Sequence, residues 1–518
     1  MDLQSHTDQD RLHGLLDGQI QTAIAGADPQ GEVYRQLVLA VCRCYYELLP
    51  NLFEGLDDAS ELLLPDDLLS DGSIVGAFRK EITDDDCQDV ESLGWLYQFY
   101  IAEKKDEVMA RKKAVPTEDI PAVTQLFTPH WIVRYLVENS LGRLWLLNRP
   151  GSKLRDQMPY YIEGDAETDF LVINKPEEIK LLDPACGSGH MLTYAFDLLV
   201  LIYEEEGYSP NEIPGLILKH NLHGLEICPR AAQLAELALV FKAREQSRRF
   251  FQPEQLVRPQ IIELQDVQFA EGEINDYIEA LDLGELFDPS LFKLLHQFEE
   301  AKNFGSLIQP CLDERAITDV RRAIEAQDLG GQLFLRETHL KALRVLEQAE
   351  ALTQRYHVVV ANPPYLGGRQ FNSVLKVFAQ DKFEEAKSDL FSMFIDRAFN
   401  QVIPRGHVAM VTMESWMFLS SFEAFRDKLL KNTAIQSLVH MPYLGRGGTS
   451  MGINFGTVAT VWLNCSRPAL IGNYQWIRYF ECDDFGVPKT FPTINERHVS
   501  QTANAFRDIP GKTIAYWI

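Results

Sequence analysis

Paired cysteines are missing from this chain. Eight are scattered over 518 residues, at Cys42, Cys44, Cys87, Cys186, Cys228, Cys311, Cys465 and Cys482, and no two are spaced C-x-x-C. That pattern argues against a zinc site and against a disulfide framework, so a reduced, cytoplasmic setting is expected. Long apolar runs are missing too. Leu198–Tyr203 and Val458–Leu463 fall far short of the roughly 18 residues a membrane span needs. The start, MDLQSHTDQD, has no basic region followed by an apolar one, as a signal peptide would. Basic charge is scarce: 49 Lys and Arg face 75 Asp and Glu, for a net −26 and a pI near 4.9. A generally basic nucleic-acid coat is excluded. What remains is a globular composition, 46% hydrophobic with 29 Phe, 18 Tyr and 7 Trp. It is too rich in aromatics for disorder and long enough for about three to four domains.

The charge is uneven. Residues 1–110 hold 23 acidic and 7 basic side chains, whereas residues 361–450 hold 10 basic and 8 acidic. If any part meets phosphate it is the later one, through Arg369, Lys376, Lys382, Lys387, Arg397, Arg405 and Arg446; equally, these are solvated surface charges. The acidic segment repels phosphate and suits protein or solvent.

The first 110 residues read as helical. Val33–Leu49 is amphipathic, and Val90–Lys105 carries aromatics at helical spacing, expected to be core. At Phe127–Asn139 a Thr-Pro pair opens a helix, with Thr128 as N-cap and Pro129 as first helical residue. Residues 151–178 are polar and turn-rich, a loop or linker. From Ile179 the texture changes to strand (IKLLD), Gly-rich turn, helix (Met191–Glu206), strand (His223–Ile227) and helix (Arg230–Arg244). This is a doubly wound α/β pattern. Residues 271–355 look like a helical insertion. Val358–Ala361 returns to the sheet, a helix follows at Phe391–Gln401, and His407–Thr412 and Thr457–Leu463 give two more strands.

Three features carry chemistry. Asp183-Pro184-Ala185-Cys186-Gly187-Ser188-Gly189 ends a strand in an acid and turns tightly into a helix, letting backbone approach a ligand closely. Alone, a structural turn reads the same way. Glu226 ends the next strand, where an acid accepts hydrogen bonds from ribose hydroxyls. Together they argue for a nucleoside-bearing cofactor, though not NAD, because the turn is not G-x-G-x-x-G and the acid lies too far along. Asn362-Pro363-Pro364-Tyr365 then follows a buried strand. Its prolines fix extended backbone. The Asn oxygen and the Pro363 carbonyl can accept from one amino group, while the Tyr ring can stack on a base.

DPACGSG followed by NPPY, with Phe127-Thr128-Pro129 upstream, resembles the gamma-type, amino-directed, S-adenosylmethionine-dependent DNA adenine methyltransferases over roughly residues 120–465. More closely, QFYIAEKKDEV (98–108), IPAVTQLFTPHWIVRYLVENS (120–140) and HQFEEAKNFGSLI (296–308) resemble the PglX-type (BrxX) adenine methyltransferases of bacterial BREX phage-defence systems. The resemblance implies a Rossmann-like doubly wound methyltransferase core with an N-terminal helical domain and a helical insertion. It implies S-adenosylmethionine as cofactor and no metal. It also implies N6-adenine methylation of double-stranded DNA by base flipping, alongside other BREX components.

On that resemblance, Asp183, Pro184, Ala185, Gly187 and Gly189 shape the cofactor pocket. Thr128 and Pro129 meet the methionine end, Glu226 the ribose and Asp266 the adenine ring. Asn362, Pro363, Pro364 and Tyr365 hold the flipped base, with Phe455 on its other face or in the core. The implied organisation is an acidic helical domain (1–110), a cofactor half (111–270), the insertion (271–350), a catalytic half (351–470) and the start of a C-terminal region (471–518). Family members are much longer and carry a target-reading region, so a cut-short or split chain with weak sequence-specific DNA binding is expected. The alternatives are the methylase part of a fused restriction–modification enzyme, a non-catalytic cofactor-binding assembly module, and N4-cytosine as target.

Overall fold

The computed structural model describes residues 29–517, apart from residues 51, 53–63, 66, 84–85, 87–89, 165–166, 253, 282–287, 327–332 and 442–454. Its strands are β1 (Leu181–Asp183), β2 (Leu222–Glu226), β3 (Gln260–Glu263), β4 (Tyr356–Ala361), β5 (Val402–Met413), β6 (Ala434–Met441), β7 (Thr457–Leu463), β8 (Ile471–Trp476) and β9 (Val499–Thr502). They form one sheet in the order β3-β2-β1-β4-β5-β7-β6-β8-β9. The first five in that order are mutually parallel. β7 then inserts antiparallel between β5 and β6.

The central strands β4 and β7 are near-continuous apolar runs because both faces are covered. Alternation sends Tyr356, Val359 and Ala361 of β4 into one core and Val358 and Val360 into the other. The same split divides Val408 and Met410 of β5 from Ala409 and Val411. The chain leaves β1 toward β2 and β3, then returns on the opposite side as β4. That reversal opens a crevice at the carboxyl ends of β1 and β4, where doubly wound sheets bind ligands. The Rossmann-like expectation is met. Between β3 and β4 the chain is helical, including Glu273–Leu281, Asp288–His296, Glu314–Glu325 and Leu333–Thr353.

The N-terminal helices are α1 (Pro29–Leu48), α2 (Ile74–Glu81) and α3 (Glu91–Ala110). Three further helices frame the crevice: α4 (His130–Val137), α5 (His190–Glu205) and α6 (Pro229–Gln246).

Several expectations are corrected. The α3 aromatics are not core: Trp95 is 45% exposed, Phe99 73% and Tyr100 68%. Only its first half is largely apolar, and the helix packs instead through Gly94, Ile101 and Val108, which are buried. Thr128 does not cap the next helix. That helix begins at His130, with no side-chain cap, and the Thr128 hydroxyl is taken up elsewhere, as described below. Residues 151–178 are irregular as expected, but not a free linker, since Leu154, Met158, Ile162 and Ile173 are buried in the core. Residues 471–517 do not start a separate unit. β8 pairs with β6, β9 pairs with β8, and Tyr516 is buried with its hydroxyl 3.0 Å from His440 Nδ1. Among the basic candidates, Arg397 is buried and donates to the carbonyls of Ser306, Ile308 and Leu352. Arg405 pairs with Asp169 and Lys382 with Asp381. Arg369, Lys376 and Lys387 are exposed, and Arg446 lies outside the described residues. No helix among the described residues is long and apolar enough to cross a membrane.

Candidate active site

The first wall of the crevice is backbone. After β1 the chain turns at Pro184–Gly189, with Gly187 at φ +53° and Gly189 at φ +87°. A side chain at either is strained, and at Gly189 a Cβ would also lie 3.1 Å from Ala235. The turn is tied to its neighbour strand by Cys186 N–H donating to Leu225 O at 3.0 Å. Glu226 completes the tie. Its carboxylate accepts from the backbone N–H of Gly187 at 2.8 Å and of Ile227 and Cys228 at 2.9 Å each. Asp183 accepts from Ala185 N–H at 3.1 Å. Both acids are buried. Burial raises the Glu226 pKa against those three bonds, and lifts that of Asp183 to about 8.

The second wall is a side-chain amide. Asn362 follows β4, and its Nδ2 donates to Leu126 O at 3.1 Å and to Thr128 Oγ1 at 3.0 Å. Its Oδ1 accepts from the Tyr365 hydroxyl at 2.7 Å, and that hydroxyl also reaches Val411 O at 3.0 Å. Leu126 O can only accept, so the amide orientation is fixed by its partners. Oδ1 keeps one lone pair.

Between these walls lies a cleft of about 110 Å³. Thr128, Asp183, Pro184, Ala185, Gly187, Glu226, Asn362 and Pro364 line it, so eight of the expected site residues converge there. Pro129, Gly189, Asp266, Pro363 and Tyr365 do not line it. Pro129 immediately precedes α4 and Gly189 caps α5. Asp266 instead accepts from Lys302 N–H at 2.8 Å, anchoring the insertion. The Tyr365 ring meets Phe455 edge to face, with ring centroids 5.7 Å apart.

Other lining residues escaped the sequence reading. Gly94 and Gln98 come from α3, and Asn303-Phe304-Gly305-Ser306 comes from the insertion. The Ser306 hydroxyl donates to Pro184 O, and Gly305, at φ +54°, lies close under Ile227. The Asn-Phe-Gly-Ser run sits within the segment that carries the family resemblance, which was its available signal. Gly94 inside an aromatic helix was the signal for α3. A Cβ there would lie 2.6 Å from Ser188 Oγ.

The lining holds two carboxyl groups and no Lys or Arg. That composition does not suit a polyphosphate. It suits a cationic ligand. Cys186 is buried with its thiol pKa pushed up, and is no nucleophile. Among the described residues no three His, Cys, Asp or Glu are grouped to hold a metal.

The chain is similar to known methyltransferases. The Eco57I restriction-modification methylase model matches residues 220–444. The adenine-specific methyltransferase BrxX of Escherichia coli O9:H4 (strain HS) is 40% identical over 94% of this chain and 42% of that protein. The adenine-specific methyltransferase PglX of Lacticaseibacillus casei (strain Zhang) is 33% identical over 98% of this chain and 43% of its own length. The chain is a relative of the BrxX and PglX adenine-specific methyltransferases. It spans about two fifths of the length of these curated relatives. Among solved structures, the DrdV–DNA complex aligns over 98% of this chain and 43% of its own, at 14% identity and a TM-score of 0.47.

Proposed function

We propose that this chain is the methyl-transferring part of an adenine-N6 DNA methyltransferase of a BREX-type phage-defence system, using S-adenosylmethionine. The observation that carries the reading is the single cleft that joins a Gly-rich turn, two buried carboxyls and no cation to the Asn362 amide.

When bound, S-adenosylmethionine supplies an electrophilic methyl group, which the target amine takes with loss of a proton, leaving a thioether. The chain's residues do the rest. Gly187 lets backbone approach the cofactor, Glu226 meets the ribose hydroxyls, and Asp183 with Thr128 faces the charged end. Asp266 anchors the insertion by accepting from the Lys302 backbone N–H, next to the lining residues Asn303 to Ser306. Asn362 Oδ1 and the Pro363 carbonyl accept the two N6 hydrogens and turn the amine's lone pair toward the methyl. Pro364 walls the base pocket, and Tyr365 steadies Asn362 through its hydroxyl. Orientation supplies most of the rate, and the two acceptors add electrostatic stabilisation. The amine is out of reach inside a duplex, so the target adenine is flipped out, at a cost of a few kcal/mol.

Double-stranded DNA is the substrate. A target-reading region and other BREX proteins supply specificity, because a chain at −26 is poorly suited to a sequence-reading interface of roughly 1,000–2,500 Å². The family description over residues 220–444 favours one second reading, the methylase of a restriction–modification enzyme. Methyl transfer from labelled S-adenosylmethionine to unmethylated DNA tests the proposal. N6-methyladenine lost in Asn362→Ala is the expected product pattern. N4-methylcytosine, or label unaffected by Asn362→Ala, contradicts it. DNA cleavage by the purified protein selects the second reading.

A further inference from the structure

The segment Gln125-Leu126-Phe127-Thr128 crosses the cleft between two unlike partners. On one side stands Asn362, holding Leu126 O and Thr128 Oγ1. On the other stands α3. Gln98 Oε1 accepts from Phe127 N–H at 3.0 Å, and Lys105 Nζ donates to Gln125 O at 3.1 Å. The contacts alternate along the chain, 125 and 127 to α3, 126 and 128 to Asn362, as an extended segment requires. Phe127 is further clamped between Trp95 and His190, with ring centroids 4.2 Å from each. Gly94 brings α3 close enough for these bonds to form, since no Cβ fits between it and Ser188 or Phe127.

The amide of Asn362 has two donor hydrogens, and both are spent on this segment. With one Oδ1 lone pair held by the Tyr365 hydroxyl, the segment sets the direction of the lone pair left for the target amine. A shift of the segment away from Asn362 frees Nδ2 and lets the amide turn its donor face to the amine, which repels rather than polarises it.

We infer that Gln98 and Lys105 of α3 are positioning residues for the Asn362 amide, so that the N-terminal helical segment sets the methyl-transfer step through residues 125–128. The inference rests on the proposed methyltransferase function and adds to it a dependence that the catalytic motif alone does not contain.

The test is Gln98→Met against Gln98→Glu in the protein, with S-adenosylmethionine affinity by calorimetry and single-turnover methyl transfer to unmethylated DNA. Met keeps the shape and helix preference but removes the acceptor; Glu keeps an oxygen for Phe127 N–H. Gln98→Met is expected to lower the transfer rate by about 10- to 100-fold, the scale of a small misplacement, and to weaken S-adenosylmethionine binding by a clearly smaller factor, since Gln98 and Thr128 also line the cleft. Gln98→Glu is expected to restore the rate. A Gln98→Met rate equal to wild type, or a loss that Gln98→Glu does not restore, overturns the inference and leaves the proposed function standing. A folded wild type that neither binds nor transfers overturns the function and the inference with it. If Gln98→Met does not fold, Lys105→Met cuts the other tie and is read the same way.

Discussion

The two walls of the cleft are built by different means. The Gly187–Glu226 wall is backbone and strand end, tied by bonds from one carboxylate to the main chain of adjacent parallel strands. The Asn362 wall is one side-chain amide, held by residues more than 230 positions earlier in the chain. The first is set by the sheet itself. The second exists only once the N-terminal segment has docked. Binding of cofactor and transfer of its methyl group should therefore come apart under mutation.

The largest separation is expected at Asn362. Asn362→Ala removes the acceptor and should lower methyl transfer by about 100- to 1,000-fold, the scale seen when one preorganised polar group is deleted. S-adenosylmethionine binding, read by calorimetry, should persist. Comparable loss of both would show the walls to be one unit.

Next is the opposite wall. Gly187→Asp puts a side chain at φ +53° and an acid beside Glu226. It should weaken S-adenosylmethionine binding by at least about 100-fold, or some 2.7 kcal/mol. A variant that binds normally would remove the Gly-rich turn from the cofactor site.

A subtler probe is pH. Asp183 has a pKa of about 8 in the folded protein, against roughly 3.9 when unfolded. The folded state thus holds a proton that the unfolded state lacks between about pH 4 and 8, and this group's contribution to stability falls as pH rises through that window. A cationic ligand draws the carboxylate out, so binding releases a proton. S-adenosylmethionine affinity should rise with pH up to about 8, by at most roughly tenfold per unit. Asp183→Asn should flatten the profile. An affinity that falls with pH contradicts the assignment.

The smallest effect lies outside both walls. Lys376 and Lys387 are exposed. Replacing both with Ala should weaken DNA binding a few-fold and lower its salt dependence by about one to two ion equivalents, with cofactor affinity unchanged. An altered cofactor affinity would blur the division.

The same contrast explains what the sequence reveals. The cofactor wall is local, so DPACGSG and the strand-end Glu226 mark it directly, and Asn-Pro-Pro-Tyr after three valines marks the other. What holds Asn362 is distant, so although Gln98 and Leu126 lie in segments that carry the family resemblance, nothing in those segments pointed to Asn362, and Thr128 read as a helix cap because Thr before Pro usually is one. The α3 aromatics misled for a related reason. Spacing finds a helix but not which face of its apolar half is covered. β6 was missed because AIQSLVHM mixes polar and apolar residues, yet all eight are buried. β8 and β9 lie past the last motif, where pattern alone does not say that the chain rejoins the sheet.

The most direct test of the account is calorimetric titration of S-adenosylmethionine into the wild type, Gly187→Asp and Asn362→Ala, each checked for folding, beside methyl transfer by the same preparations. The account predicts binding by the wild type and Asn362→Ala, none by Gly187→Asp, and transfer by the wild type alone. Absence of binding by a folded wild type, or transfer surviving in Asn362→Ala, would contradict it.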